Sequence, residues 1–219
     1  MTQRDWSAVD DYISSTLVPS DAALDGALAA SEAGGLPSIQ VSAAQGKFLF
    51  LLAKILNARS ILEVGTLGGY STIWLARALP ADGRLVTLEA EPRYAAIARA
   101  NIADAGLASL VDLRVGLALE SLPKVRGPFD LAFLDADKIN NPNYFDWALR
   151  LSHVGSVIVI DNVVREGKVV EATSTDPGVV GTRRLNERIM RESRVSATTI
   201  QTVGHKGYDG FTLVRVERE

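Results

Sequence analysis

The chain has 219 residues, 47% of them hydrophobic and 22% charged, which are the values of a globular protein and exclude a disordered one. Its 23 Lys and Arg against 26 Asp and Glu leave a net charge of −3, so no basic excess exists to neutralise a polyphosphate backbone, and nucleic-acid binding is disfavoured. With no Cys and only two His, thiolate chemistry, disulfides and the usual zinc sites are excluded, and any metal must sit on oxygen ligands.

The first forty residues read as helical, with Trp6, Val9, Tyr12, Ile13 and Leu17 at spacings of three and four and a second helix starting at Ser20-Asp21. Gly34-Gly-Leu-Pro37 ends that segment. Ser42-Ala-Ala-Gln45 has the pattern of a capping box and predicts a buried helix through Asn57. The longest purely apolar run, Phe48 to Ala53, is flanked by Lys47 and Lys54 and falls far short of the roughly 20 residues that cross a bilayer. The opening MTQRDWSAVDDY lacks the apolar stretch of a signal peptide. The expectation is a soluble cytoplasmic protein with no membrane partner.

From residue 60, short β-rich runs alternate with helical stretches: Ser60–Val64, Arg84–Glu89, Val111–Val115, Leu131–Asp135 and Val157–Asp161. That alternation predicts an α/β fold, a parallel sheet with helices on both faces. Thr198–Val203 and Phe211–Val216 are separated by only seven residues, Gly204 to Gly210, too few for the dozen or so of a parallel crossover. They are expected to close a seven-stranded, mostly parallel sheet with an antiparallel C-terminal hairpin. One domain is expected over residues 1–219, with N-terminal helices over 1–40 and the core over 41–219.

Ile61-Leu-Glu-Val-Gly65-Thr-Leu-Gly68-Gly69-Tyr70-Ser71 passes from strand through loop to helix, where glycines let backbone approach a ligand beyond the strand ends. The spacing lacks both the dinucleotide fingerprint and the P-loop signature, so pyrophosphate cradling is weakly supported. Glu89 ends the next strand, where a carboxylate can accept both hydroxyls of a ribose. Glu63 just before the first glycine suits a ligand carrying ammonium and sulfonium charge. Otherwise the glycines merely make a tight turn and Glu89 caps a helix.

Asp135 closes one predicted strand and Asp161-Asn162 the next. Neighbouring parallel strands lie about 4.8 Å apart, which would bring two carboxylates and an amide oxygen to one edge, an oxygen set suited to Mg²⁺, or to Ca²⁺ or Mn²⁺. Either Asp alone reads as a helix N-cap. Lys138 is the cation of this cluster and a candidate base, with an ion pair to Asp137 as the alternative. His153 and His205 are poorer candidates.

Together, Ile61 to Gly65, Gly68 to Ser71, Leu85 to Glu89, Phe133-Leu-Asp-Ala-Asp-Lys138 and Asp161-Asn162 resemble the cation-dependent O-methyltransferases, the family of catechol O-methyltransferase and plant caffeoyl-CoA O-methyltransferase. The likeness runs from about Pro37 to Val216 and is greatest to short bacterial members. It implies a Rossmann-like class I methyltransferase fold, whose last strand is antiparallel where a dehydrogenase would continue in parallel. It implies S-adenosylmethionine at Gly65, Thr66, Gly69, Ser71, Glu89 and Ala90, with Val41, Ala118 and Asp135 in the same pocket and Glu63 near the methionine amine. It further implies a divalent ion on Asp135, Asp161 and Asn162, and Lys138 at the position of the proposed base. Catechol O-methyltransferase itself carries His-Trp at Ala136-Asp137, so Asp-Ala-Asp-Lys is nearer the caffeoyl-CoA branch. Substrate contacts in the family come from the N-terminal helices and the loop after the Asp-Asn pair, here Val163 to Gly178, where no motif matches.

The expected acceptor is a small hydroxylated aromatic with vicinal hydroxyls, and the apolar N-terminal helices predict a homodimer. Three rivals stand beside this reading. The first is methylation of a hydroxylated tRNA wobble uridine, served by Arg183, Arg184, Arg188, Arg191 and Arg194. The others are an NAD-linked dehydrogenase and a noncatalytic S-adenosylmethionine binder.

Overall fold

Two capped helices open the chain, α1 (Gln3–Leu17) behind Thr2 and α2 (Ala22–Ala33) behind Asp21, in the computed structural model, which describes residues 2–218. α3 (Ala43–Ile55) starts where Ser42 Oγ accepts the Gln45 N–H at 3.2 Å. The reciprocal half of the expected capping box is absent, because the Gln45 side chain reaches across the molecule to Asp161 instead.

The remainder runs β1 (Ser60–Val64), α4 (Tyr70–Ala78), β2 (Arg84–Glu89), α5 (Pro92–Asp104), β3 (Val111–Val115) and α6 (Ala118–Ser121). It continues with β4 (Phe129–Leu134), α7 (Asn141–Arg150), β5 (Ser152–Asp161), α8 (Pro177–Met190), β6 (Val195–Gly204) and β7 (Gly207–Val216). The sheet order is β3-β2-β1-β4-β5-β7-β6, with β1 to β5 parallel and β7 antiparallel to both its neighbours. Chain order reverses between β1 and β4, which opens a crevice at the carboxyl edge of those strands.

Alternation along the strands assigns each side chain to a layer. Ile61, Leu85, Leu131, Phe133, Val157 and Val159 face a core shared with α2 to α5, while Leu62, Val64, Val86, Leu88, Leu134, Ile158 and Ile160 face one shared with α7 and α8. Each such side chain contributes roughly 1.5–3 kcal/mol on burial, so strands apolar on both faces are the expected outcome. Glu63 and Thr87 break the pattern, and by alternation both lie on the face of Ile61 and Leu85, beneath α4.

The hairpin is tighter than the sequence suggests. Gly204 pairs with Gly207, so only His205-Lys206 turns the chain, where a seven-residue loop was expected. The polar residues Gln201, Thr202, Tyr208 and Asp209 pair as strand because this ribbon projects past the core, where alternation of apolar residues is not required. Its tip docks on the N-terminal segment, the His205 N–H donating to Asp10 at 2.7 Å and Lys206 Nζ to the Ser38 carbonyl at 2.9 Å. Among the described residues no helix is long and apolar enough to cross a membrane.

Candidate active site

The loop from β1 to α4 is shaped by three glycines, each for its own reason. Gly65 has φ +98, and a Cβ there would run into the Asp135 carbonyl. Gly68 leaves room for Ser31 of α2, and Gly69, at φ +84, turns the chain into α4. The Asn101 side chain, buried on α5, holds the loop by donating to the Gly68 carbonyl at 2.8 Å. Glu89 Oε2 accepts the N–H groups of Thr66 and Leu67 at 3.2 and 2.7 Å, and Oε1 accepts that of Glu91 at 2.9 Å. A carboxylate offers about four acceptor positions, so one remains for a ligand hydroxyl without rearrangement.

Glu63 lies behind this loop, with no exposed surface. Ser71 and Thr72 from the first turn of α4 and Thr87 from β2 all donate hydroxyls to it, at 2.7, 2.5 and 2.7 Å. Burial outweighs those three hydrogen bonds and pushes its carboxyl up to about 7. Glu63 thus ties two strands to a helix N-terminus.

The acidic end is built differently. β4 and β5 are neighbours with Leu134 opposite Ile160, so Asp135 and Asp161 emerge side by side. Neither caps a helix. Lys138 Nζ donates to Asp135 Oδ1 at 2.6 Å, which decides the pairing left open by sequence. Asp137 instead accepts from the hydroxyl of Tyr144 and from Asn140. The turn carrying Lys138 is pinned by α8, whose Gly181 packs against the Lys138 carbonyl so closely that a Cβ would not fit.

Asp161 is 5% exposed, with Oδ2 accepting from Gln45 Nε2 at 2.6 Å and Oδ1 from the Asn162 N–H at 2.8 Å. Desolvation and the adjacent Asp135 charge raise its carboxyl well above the ordinary range. Two carboxylates against one ammonium leave excess negative charge in a desolvated place, and all the donors are oxygens. Those are the conditions a hard divalent cation satisfies. Among the described residues no group of three or more His, Cys, Asp or Glu could hold a metal ion.

One cleft of about 810 Å³ joins the two ends, a size typical of small-molecule sites. It is lined by Val41, Gly65, Thr66, Ser71, Glu89, Ala90, Ala118, Asp135, Lys138 and Asn162. Glu63, Gly69 and Asp161 stand behind its wall. His153 lies at the far end of β5, paired with Asp130 at 2.9 Å, and His205 pairs with Asp11 at the hairpin turn. Sequence reasoning missed Gln45, whose spacing signalled only a cap, and Tyr144 and Arg165, which also line the cleft.

A sheet of this order with a closing hairpin and a ligand cleft at its reversal point defines a class I methyltransferase-like protein. The sequence profile of the O-methyltransferase family matches residues 22–217, and the chain belongs to that family. The chain is 50% identical to a catechol O-methyltransferase of Niastella koreensis over 99% of its length and 100% of the relative's. It is 54% identical to one of Mycobacterium tuberculosis over 95% and 94%. The crystal structure of the Bacillus cereus O-methyltransferase in complex with SAH superposes with a TM-score of 0.97 at 55% identity, covering 99% of this chain and 100% of that one. Family membership removes the dehydrogenase reading.

Proposed function

We propose that this protein transfers the methyl group of S-adenosylmethionine to one hydroxyl of a small catechol-type acceptor, with a divalent cation, Mg²⁺ by preference over Mn²⁺ or Ca²⁺, on Asp135, Asp161 and Asn162. The observation that carries this reading is that one cleft runs from a backbone-lined glycine loop to Asp135, with the buried Asp161 beside it just behind the wall. The relatives named catechol O-methyltransferase and the SAH complex of the Bacillus cereus protein support it.

In this reading Glu89, Ala90, Ala118 and the loop at Gly65 and Thr66 hold the adenosyl donor. Glu63 acts from behind by fixing Ser71. When bound, the cation supplies Lewis acidity to a chelated hydroxyl. Gln45 holds the Asp161 carboxylate in one orientation, and Asp135 positions Lys138. Lys138 Nζ, in its neutral amine form, takes the hydroxyl proton and becomes the ammonium paired with Asp135, as the oxygen attacks the methyl carbon and the carbon–sulfur bond breaks, leaving S-adenosylhomocysteine.

A tRNA acceptor is less well supported. Of the arginines considered for it, Arg188 pairs with Asp146 and Glu192, Arg194 pairs with Glu192, and Arg183 donates to the Val169 carbonyl. Val9, Tyr12 and Leu17 of α1 and Leu51 and Ile55 of α3 are exposed and favour the homodimer. Light scattering at the 23.5 kDa of one chain would refute it. The test of function is methyl transfer from labelled S-adenosylmethionine to caffeic acid with Mg²⁺ and with excess EDTA. Transfer abolished by EDTA is expected; transfer unaffected by it would sink the cation, and binding of S-adenosylmethionine without turnover on any catechol would leave the noncatalytic reading.

A further inference from the structure

The cleft is lined by two cations, and they are used differently. Lys138 is paired with Asp135. Arg165 makes no side-chain hydrogen bond or ion pair with any described residue, and its Nε is fully buried without an acceptor. A guanidinium carries five donors and is always charged, so leaving it unpaired at a partly desolvated wall is costly unless a ligand completes it.

Its position is fixed by backbone. Val163 and Val164 are buried, and Asp209 Oδ1 of β7 accepts the N–H groups of Val164 and Arg165 at 2.9 and 3.0 Å. Arg165 itself adopts φ +57, a left-handed conformation that a non-glycine residue holds only when its surroundings impose it. Across from it, a Cβ on Gly178 would lie 3.2 Å from Nη2 and 3.3 Å from Nε, so glycine at the start of α8 gives the guanidinium its space. Of the acids around it, Asp176 is committed to capping α8 through the Val179 N–H at 2.9 Å and Glu166 pairs with Lys168, and neither forms an ion pair with it.

We propose that Arg165 anchors a carboxylate on the acceptor, so that the natural substrate is a catechol-type aromatic acid whose hydroxyls face Asp135 and Asp161. This rests on the methyl-transfer reading above for the fate of the hydroxyls. One planar fork matches one carboxylate bidentately, and the cleft offers no second unpaired cation, among the described residues, for a phosphate.

The test compares 3,4-dihydroxybenzoate with the neutral, near-isosteric 3,4-dihydroxybenzamide, by kcat/KM and by calorimetric binding, in the wild type and in Arg165→Gln and Arg165→Lys. The wild type is expected to prefer the acid by about tenfold or more, mainly through KM, as a charge-assisted bidentate pair provides. In Arg165→Gln that ratio falls to within about twofold, and Arg165→Lys keeps part of it. The ratio is taken within one protein, so partial unfolding of a variant lowers both rates alike. Equal preference in the wild type, or a preference that survives Arg165→Gln, overturns the proposal. If neither compound is methylated but the acid still binds more tightly and only through Arg165, the anchor stands and the methyl-transfer reading fails.

Discussion

The two ends of the cleft are built by opposite means. Around β1 and β2 the surface is backbone, hydroxyl and the one carboxylate of Glu89, which backbone N–H groups already engage, while the buried acid Glu63 behind it accepts from three O–H donors. Around β4 and β5 it is side-chain charge, with the Lys138 ammonium paired to Asp135 and no cation paired to Asp161 among the described residues. Hydrogen bonding that is already largely complete suits the adenosyl part of a donor, which methyl transfer leaves unchanged. Uncompensated charge suits a cation and an acceptor whose own charge must change during reaction.

The sharpest way to separate the two ends is to remove the acidic one. Asp161→Asn, or chelation of divalent ions, is expected to lower kcat/KM for a catechol by about 10³-fold, the scale of several kcal/mol of lost Lewis-acid stabilisation. Calorimetric binding of S-adenosylmethionine should change far less, and equal losses in both would erase the distinction drawn here.

The glycine-loop end has its own signature, in stability. The Glu63 carboxyl sits at about 7 in the folded protein against an ordinary 4.5, so folding takes up a proton between those values. Its stabilising contribution is complete below about pH 4.5 and is lost as pH rises through about 7, amounting to about 3 kcal/mol. Denaturant melts in chelator from pH 5 to 8 should fall more steeply in the wild type than in Glu63→Gln, which keeps the slope of the buried Asp161 carboxyl. A wild type no steeper than Glu63→Gln would mean that Glu63 stays ionised in its hydroxyl cage.

Lys138→Ala should lower kcat by about 10²-fold if Nζ handles the proton, and near-normal turnover would remove it from that role. The smallest effect is expected at Gln45→Leu, which frees the buried Asp161 carboxylate from its only side-chain hydrogen bond among the described residues. Cation activation should then need about tenfold more Mg²⁺, while the thermal midpoint reports whether α3 has suffered instead.

How much of this could be read from sequence depended on distance along the chain. β1, β2 and β3 have the boundaries their apolar runs predict, because each run is bracketed by turn residues. β4 and β5 begin earlier than expected, at Phe129 and Ser152, since Asp130 interrupts the apolar run of β4 behind the buried Phe129, and β5 opens on residues that are not buried. The acid pair was legible because each Asp follows an apolar run, Asp161 ending β5 and Asp135 coming directly after β4. The Gln45 to Asp161 bond joins residues 116 apart in sequence, and no local spacing encodes it. Arg165 was hidden within a loop that matches no motif, and its meaning lies in what it fails to touch.

Asp209 joins two parts of the architecture. By accepting the N–H groups of Val164, Arg165 and Gly210, this one carboxylate on the final strand stitches the acceptor-side loop to the hairpin. The strand that closes the sheet therefore also sets one wall of the cleft, and the loop cannot be redesigned as a free appendage. A change of acceptor range by loop grafting has to carry Asp209 along with it, whereas a change of side chain at position 165 does not.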